Sequence, residues 1–167
     1  TSEAEAVRQL KRAEQNSVWA MEAVDTLLQK VTDQSLNSIP GMVRVRQQLL
    51  EESLRQCERF LQDRGTTDPT AMLIRGVTLQ RAGRIHRQIR QYAESEVRLK
   101  EAFEIFTSLV ARFPEDPRYA KELGASHYQL ALSLGTARGK DESFRAKEAS
   151  LETWNRMLQR FPDKPEL

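Results

Sequence analysis

RFPEDP, at residues 112–117, and RFPDKP, at residues 160–165, are nearly the same hexapeptide. The correspondence extends beyond these positions to charged, small and apolar residues in the same register. The matching sets are Arg64, Arg112 and Arg160; Asp68 and Asp116; Pro69, Pro117 and Pro165; Gly76 and Gly124; Phe113 and Phe161; and Leu61, Leu109 and Met157. A period of this length is typical of stacked helix pairs. We therefore expect each hexapeptide to link one helix pair to the next.

Each hexapeptide carries signals that end one helix and begin another. Aspartate is a good N-cap and proline is tolerated in a first helical turn, so Asp116–Pro117 predicts a helix start. Pro114 is expected to stop the preceding helix, because proline pushes the residue before it out of helical geometry. The sequence has no alternating β-branched run of the kind that indicates a strand. The pattern predicts six helices, over residues 3–33, 41–63, 69–88, 90–112, 116–135 and 141–160.

These helices predict an all-α fold, a right-handed stack of three antiparallel helix hairpins with elongated repeats of about 48 residues. A long N-terminal hairpin would occupy residues 1–68, followed by repeats over 69–116 and 117–164, all within one helical-repeat domain. The first helix is longer than usual, which leaves a coiled-coil entry from an upstream segment as an alternative to a long packed helix.

The second hexapeptide predicts a further helix that would begin at Pro165. Only Glu166 and Leu167 follow Pro165 in the sequence given. We therefore expect the sequence to be a piece of a larger protein, divided at a repeat boundary. The last predicted helix carries more large apolar residues than one neighbouring helix would cover. They are Phe144, Leu151, Trp154, Met157, Leu158 and Phe161. Part of this surface should be exposed, so helix 141–160 is a candidate surface for self-association.

The composition of the 167 residues is that of a helical protein with well-solvated faces. Charged residues make up 30% of the chain, hydrophobic residues make up 39%, and the formal net charge is +2. Unbroken apolar runs are only a few residues long, so we expect no membrane insertion. Cys57 lies on an apolar stripe with Leu50, Leu54 and Leu61. This pattern predicts a buried small hydrophobic side chain, with a free reactive thiol as the alternative.

Residues that would support catalysis or metal binding are scarce. His86 and His127 are the only histidines, and the spacings of zinc motifs are absent. Carboxylate pairs such as Glu115 and Asp116 fall in first helical turns, where they favour the helix dipole rather than acid–base chemistry. We therefore expect a non-catalytic protein that holds no metal or cofactor.

Residues 79–102 resemble the tetratricopeptide repeat. That repeat places a large residue, Leu, Gly, Tyr, Tyr, Ala, an aromatic residue and Ala at fixed offsets along a helix pair. The corresponding residues are Leu79, Ala82, Gly83, His86, Tyr92, Ser95, Leu99 and Ala102. Gly83 and Ala102 match outright, and the period of 48 exceeds the usual repeat of about 34 residues. The resemblance implies that Gly83 and Ala102 permit a close helix crossing and that both histidines occupy packing positions.

A broader resemblance covers most of the chain. The stretches EAVDTLLQKV, IPGMVRVRQQLLEESLRQCERFL and GRIHRQIRQYAESEVRLKEAFEIF are similar to the tetratricopeptide-like region of planctomycete serine/threonine protein kinases and related multidomain signalling proteins. In those proteins the region follows the kinase domain, often beyond a membrane segment. The resemblance implies a bacterial accessory module for protein–protein interaction, on the cytoplasmic or extracytoplasmic side of a membrane-anchored kinase parent. The sequence given has no glycine-rich loop, HRD or DFG motif.

The tetratricopeptide resemblance also implies a groove lined by the first helix of each repeat. Counting from the repeat positions places Gln80, Arg84 and Arg87 on the groove side, and Tyr128 of the next repeat is a fourth candidate. Arg84 and Arg87 are three residues apart, so they share a helix face and could bind carboxylates. Peptide-binding relatives use Lys, Asn and Arg to hold an acidic C-terminus, and this chain lacks their Asn. The expected partner is a protein or peptide.

The arginines between residues 75 and 90 leave two other interpretations open. They are Arg75, Arg81, Arg84, Arg87 and Arg90, with no acidic residue among them. One alternative is a nucleic-acid-binding stripe, against which the net charge of only +2 and the few nearby aromatic residues count. The other is a solvated face balanced by acidic residues of the next helix, which are Glu94, Glu96, Glu101 and Glu104. The sequence does not identify the partner.

Overall fold

The computed structural model describes residues 4–5, 8–9, 42–62, 67–138 and 140–162. Five long helices occupy these ranges: α1, Met42–Gln62; α2, Pro69–Gln88; α3, Tyr92–Arg112; α4, Pro117–Arg138; and α5, Lys140–Arg160. The described residues contain no strand, and each helix from α2 to α5 packs antiparallel to the next. The prediction of an all-α fold is therefore confirmed. Most of the predicted first helix, residues 3–33, and hence of the N-terminal hairpin lies outside the described residues.

The chain divides into a first unit, Thr1–Gln56, and a second unit, Cys57–Leu167. The first unit includes most of α1, where Leu50 is buried and Glu52 pairs with Arg55 one turn further on. The second unit contains the last residues of α1 together with α2 to α5. All of the predicted binding residues therefore lie in the second unit.

The last turns of α1 are tied to the following helix. Cys57 and Leu61 are both buried, which confirms the prediction that Cys57 acts as a small hydrophobic residue. Arg75 of α2 donates from Nη1 to the Leu61 carbonyl oxygen at 3.1 Å. Carbonyl groups in a final helical turn lack intrahelical partners, so this bond stabilises the end of α1.

The turn between α2 and α3 is a compact helix cap. The Gln91 amide donates to the His86 carbonyl oxygen at 2.8 Å, and the Arg90 amide donates to the Arg87 carbonyl oxygen at 3.1 Å. Arg90 has a φ of 66°, in the left-handed region that usually holds glycine at this position. The His86 Nδ1 and Gln91 Oε1 atoms lie 2.6 Å apart across the same turn. These contacts reverse the chain and set α3 antiparallel to α2.

Two glycines on α2 let α3 approach closely. A Cβ atom built on Gly76 would lie 2.5 Å from Cζ of Phe106, and one built on Gly83 would lie 2.6 Å from Cγ of Leu99. Both distances are too short for any real side chain. The facing side of α3 is a row of fully buried residues spaced three and four apart: Ser95, Leu99, Ala102, Phe106 and Leu109. The small residues therefore determine how closely the two helices pack.

The contact between α4 and α5 repeats this arrangement one period later. A Cβ atom built on Gly124 would lie 2.8 Å from Cε2 of Trp154. Gly124 and Trp154 correspond to Gly76 and Phe106 in the register of the hexapeptides. In both hairpins a flat ring thus lies where the opposing helix has no side chain.

The hexapeptides bind each hairpin to the linker that precedes it. Arg112 Nη2 donates to the Thr67 carbonyl oxygen at 3.3 Å, and Arg160 Nη2 lies 2.6 Å from Glu115 Oε1. Each arginine reaches back 45 residues to an equivalent position. Asp68 caps α2, because its side chain accepts a hydrogen bond from the Ala71 amide at 2.9 Å. The arginine of RFP therefore closes a helix pair, and the aspartate before proline opens the next.

The other residues predicted from the repeat spacing lie at helix starts or in the core. Pro69 and Pro117 are the first residues of α2 and α4. Leu79, Ala82 and Ala102 are fully or almost fully buried. Tyr92, the first residue of α3, is half-buried.

Replacing Arg90 with glycine is expected to stabilise the protein. A non-glycine residue in the left-handed region carries a backbone penalty of roughly 1–2 kcal/mol, partly offset by the greater freedom of glycine in the unfolded chain. We expect a net gain of about 1 kcal/mol in the free energy of unfolding, measured by urea denaturation. Arg90→Ala, which removes the same charge but retains a Cβ atom, should give no such gain. A loss of stability in Arg90→Gly would contradict the assigned cap.

Replacing Ala102 with leucine is expected to overpack the contact between α2 and α3. Ala102 is fully buried in the row that faces α2, so the added atoms have no space and should cost roughly 1–3 kcal/mol. Ala111→Leu is the matched control, because Ala111 lies on the same helix and is exposed. Equal denaturation midpoints for the two variants would show that the assigned register is wrong.

Candidate functional site

Gln80 joins the first helices of the two hairpins. Its Nε2 atom donates to Ser126 Oγ at 2.7 Å and to the Glu122 carbonyl oxygen at 3.1 Å, both on α4. The Gln80 side chain is buried, so the loss of these hydrogen bonds would leave polar groups without partners and would destabilise the fold. Gln80 therefore holds α4 against α2 and positions the residues one turn further along.

The other three groove candidates lie near one another. Arg87 is half-buried on α2, and burial lowers the pKa of its guanidinium group. The positive charge of Arg84 lowers this pKa further, whereas Tyr128 of α4 acts in the opposite direction. Arg84 and Tyr128 are thus close enough to Arg87 to act on it electrostatically. Tyr128 is 48% exposed, so this cluster is open to solvent.

The Arg84–Arg87–Tyr128 cluster has the chemistry of an anion site. The Nη1 atom of Arg87 is buried and has no hydrogen-bond partner among the described residues. A buried donor without an acceptor is unfavourable, and so is the proximity of two guanidinium groups. A carboxylate bound at the exposed side of the cluster, beside Tyr128, would offset the positive charges of both guanidinium groups. The tyrosine hydroxyl could donate a further hydrogen bond.

The five arginines between residues 75 and 90 are distributed around α2. Arg75 binds the end of α1, Arg81 is buried, and Arg90 lies in the turn. Only Arg84 and Arg87 converge on the cluster at Tyr128. Of the acidic residues expected to balance them, Glu96 pairs with Lys100 at 2.6 Å and Glu101 with Arg98 at 3.4 Å, both on α3. The described residues therefore do not present one continuous arginine face.

A second polar cluster, centred on Glu58, was not predicted from the sequence. Arg98 of α3 binds the Glu58 carboxylate through two atoms, with Nε–Oε1 at 3.0 Å and Nη2–Oε2 at 2.6 Å. His86 of α2 lies near the same carboxylate, with Nε2 at 3.6 Å from Oε1. Glu58 therefore holds the end of α1 to both following helices. The Glu58–Arg98 pair spans 40 residues, and no short-range pattern points to it.

His127 fills a packing position between helices, as the sequence predicted. Its ring stacks on Phe103 of α3, with centroids 4.4 Å apart and planes inclined by 20°. The Nδ1 atom lies 2.8 Å from Thr153 Oγ1, which itself donates to the Ala149 carbonyl oxygen at 2.9 Å. The imidazole is therefore the donor in the bond to Thr153. Burial lowers the pKa of His127, and the charge of Arg156 lowers it further.

The described residues contain neither a membrane-spanning helix nor a metal-binding cluster. None of the helices there has the length and apolar character required to cross a membrane. The same residues contain no group of three or more histidine, cysteine, aspartate or glutamate side chains that could hold a metal ion.

Comparison with known proteins gives no assignment. No family model, curated protein or solved structure matches the chain significantly. The function is therefore inferred from the helix packing and from the cluster at Arg87.

The lowered pKa of His127 predicts a pH-dependent stability. Below the usual histidine pKa of about 6.5, the His127 imidazole binds a proton more readily in the unfolded state than in the folded state. The stability contributed by the neutral ring is therefore complete above that pH and is lost as the pH falls. His127→Gln should show a shallower loss of the free energy of unfolding than the native protein between about pH 7 and pH 5. Arg145→Gln, an exposed change on α5, should keep the native slope. Parallel curves for all three proteins would contradict the assignment.

Proposed function

We propose that this chain is a non-catalytic protein-interaction module built from elongated tetratricopeptide-like repeats that share the period of the hexapeptides. It binds an acidic segment of a peptide or partner domain in the groove between α2 and α4. The parent is a larger signalling protein of the kind found among planctomycete serine/threonine kinases, as the resemblance of the sequence implies.

Recurring contacts support the repeat part of this proposal. The glycine–ring contact occurs at Gly76 and again at Gly124, and the arginine-to-linker bond occurs at Arg112 and again at Arg160. Both recurrences keep the period of the hexapeptides. When two successive hairpins have equivalent internal contacts, they are expected to stack on their neighbours in the same way.

The observation that carries the binding function is the buried, unpartnered Nη1 atom of Arg87 beside Arg84. A guanidinium nitrogen with no partner among the described residues stabilises nothing in the fold. A carboxylate at the exposed side of the cluster would neutralise the charge that the guanidinium group delocalises onto this nitrogen. Two convergent arginines match one or two carboxylates better than an extended phosphate backbone, which requires a longer row of cations.

Removal of the Arg87 charge is expected to weaken binding of acidic peptides. The probe is a pool of labelled peptides with three consecutive acidic residues, compared with isosteric Asn/Gln peptides by fluorescence anisotropy. Loss of one charge-assisted hydrogen bond costs about 1.5–3 kcal/mol, so Arg87→Gln should reduce the affinity roughly tenfold or more. Arg145→Gln, which removes an exposed arginine of α5, should bind as the native protein does.

Three results would contradict the proposal. One is equal binding of acidic and amide peptides, and another is unchanged affinity in Arg87→Gln. The third is tighter binding of random oligonucleotides, with a steep decrease as salt is added, which would favour the nucleic-acid alternative. Urea denaturation of each variant establishes that a loss of binding is not a loss of folding.

A further inference from the structure

A cavity of about 720 Å³ lies where the end of α1 meets α2 and α3. Its apolar lining comes from all three helices and consists of Leu61, Met72, Leu79 and Ile105. The volume falls within the range of about 300–1,000 Å³ that is typical of ligand pockets. The four groove candidates do not line this cavity, so it is separate from the site at Arg87. We call it the junction cavity.

The equivalent place one period later is filled by an aromatic ring. In the register of the hexapeptides, Leu79 of the junction cavity corresponds to His127. Ile105 of the cavity likewise corresponds to Thr153. There the Phe103 ring stacks on His127 with centroids 4.4 Å apart, and His127 Nδ1 lies 2.8 Å from Thr153 Oγ1. A ring from the first of three successive helices therefore fills the junction of α3, α4 and α5.

The position of α1 that corresponds to this ring holds a charged residue. The residue one period before Phe103 is Arg55, whose Nε atom lies 3.0 Å from Glu52 Oε2 on the same helix. The Arg55 side chain is 58% exposed. An arginine in an exposed ion pair does not bury apolar area as a phenyl ring does. This position of α1 therefore supplies no ring to the junction cavity.

We propose that the junction cavity binds an aromatic side chain of a partner protein, with a basic residue beside it in the partner sequence. The occupied junction one period later indicates an aromatic ring, because Phe103 fills it in the same register. The cavity also extends from its apolar lining to charged side chains of α3, which would contact the residues next to the ring. This inference is independent of the proposed groove.

The charges around the junction cavity favour the basic neighbour. Its two arginines already have acceptors within the protein, since Arg98 binds Glu58 through two atoms and Arg75 donates to a backbone carbonyl of α1. Glu101 and Glu104 also line the cavity, and they share one face of α3 because they are three residues apart. Glu104 is exposed at the rim. A lysine or arginine beside the bound ring would pair with this carboxylate.

Methyl-resolved NMR of the full chain tests the proposal. The probes are pools of heptapeptides with a central Phe-Lys pair in Gly, Ser and Asn flanks, and matched pools with Ala-Lys or Phe-Gln. The Met72 and Ile105 methyl groups line the cavity, so the Phe-Lys pool should shift their signals in a saturable way. The Ala-Lys pool should bind roughly tenfold or more weakly, because the buried ring is lost. The Phe-Gln pool should bind roughly two- to fivefold more weakly, because an exposed ion pair is lost.

Adjacent exposed positions of α3 provide matched variants. Ser108 lines the cavity and Thr107 does not. Ser108→Trp should occupy the cavity and abolish the shifts on addition of peptide, whereas Thr107→Trp should bind as the native protein does. Glu104→Gln should retain binding of both Phe pools but lose the preference for Phe-Lys. Urea denaturation of each variant establishes that it is folded.

The proposal is overturned if the Phe-Lys pool leaves the Met72 and Ile105 signals unchanged, if the Ala-Lys pool binds equally well, or if Ser108→Trp binds as the native protein does. Equal affinity for N-acetylphenylalaninamide and for the Phe-Lys pool would indicate a site for small aromatic molecules and would also overturn it. The groove is tested separately by Arg87→Gln, so either proposal can fail without the other.

Discussion

The absence of a Cβ atom at Gly76, Gly83 and Gly124 fixes how closely the helices of each hairpin approach. At Gly76 and Gly124 the space of the missing side chain is taken by an aromatic ring of the opposing helix, and at Gly83 it is taken by Leu99. A ring lying on bare backbone buries apolar surface at the shortest interhelical distance that packing allows. Short side chains also meet between the two hairpins, where Ser95 of α3 contacts Ser133 of α4. Their Oγ atoms lie 2.9 Å apart.

The contact between α2 and α4 explains why the cluster at Arg87 is half-buried. Gln80 reaches Ser126 on α4 and joins the first helices of the two hairpins, so residues one and two turns later on α2 lie beside α4. Arg84 and Arg87 are three residues apart on α2, so the helix places their side chains on one face. Like charges held together in partly desolvated positions form a prepared site, since the unfavourable energy is relieved when an anion binds.

Helix boundaries were predictable because they depend on local chemistry. Asp68, Pro69 and Pro117 act within one turn of their own positions, and the structure begins its helices there. Arg84, Arg87 and Tyr128 lie close together, whereas Gln80 is used in a bond between helices, which spacing alone cannot reveal. The Glu58–Arg98 pair escaped prediction for a similar reason. Long charged side chains select partners according to helix crossing angles and interhelical distances, and these follow from packing rather than from sequence pattern.

Equivalent faces of α3 and α5 differ in an unexpected way. The covered face of α3 carries a charged residue, whereas the exposed face of α5 carries a large apolar one. Glu96 of α3 is buried and pairs with Lys100. Phe144, which lies 48 residues later at the equivalent position of α5, is largely exposed. A face that only meets water has no physical reason to replace a carboxylate by a phenyl ring, because each exposed ring lowers solubility and gains no packing. A phenyl ring at Phe144 is physically reasonable if another surface covers this face of α5 in the functional protein.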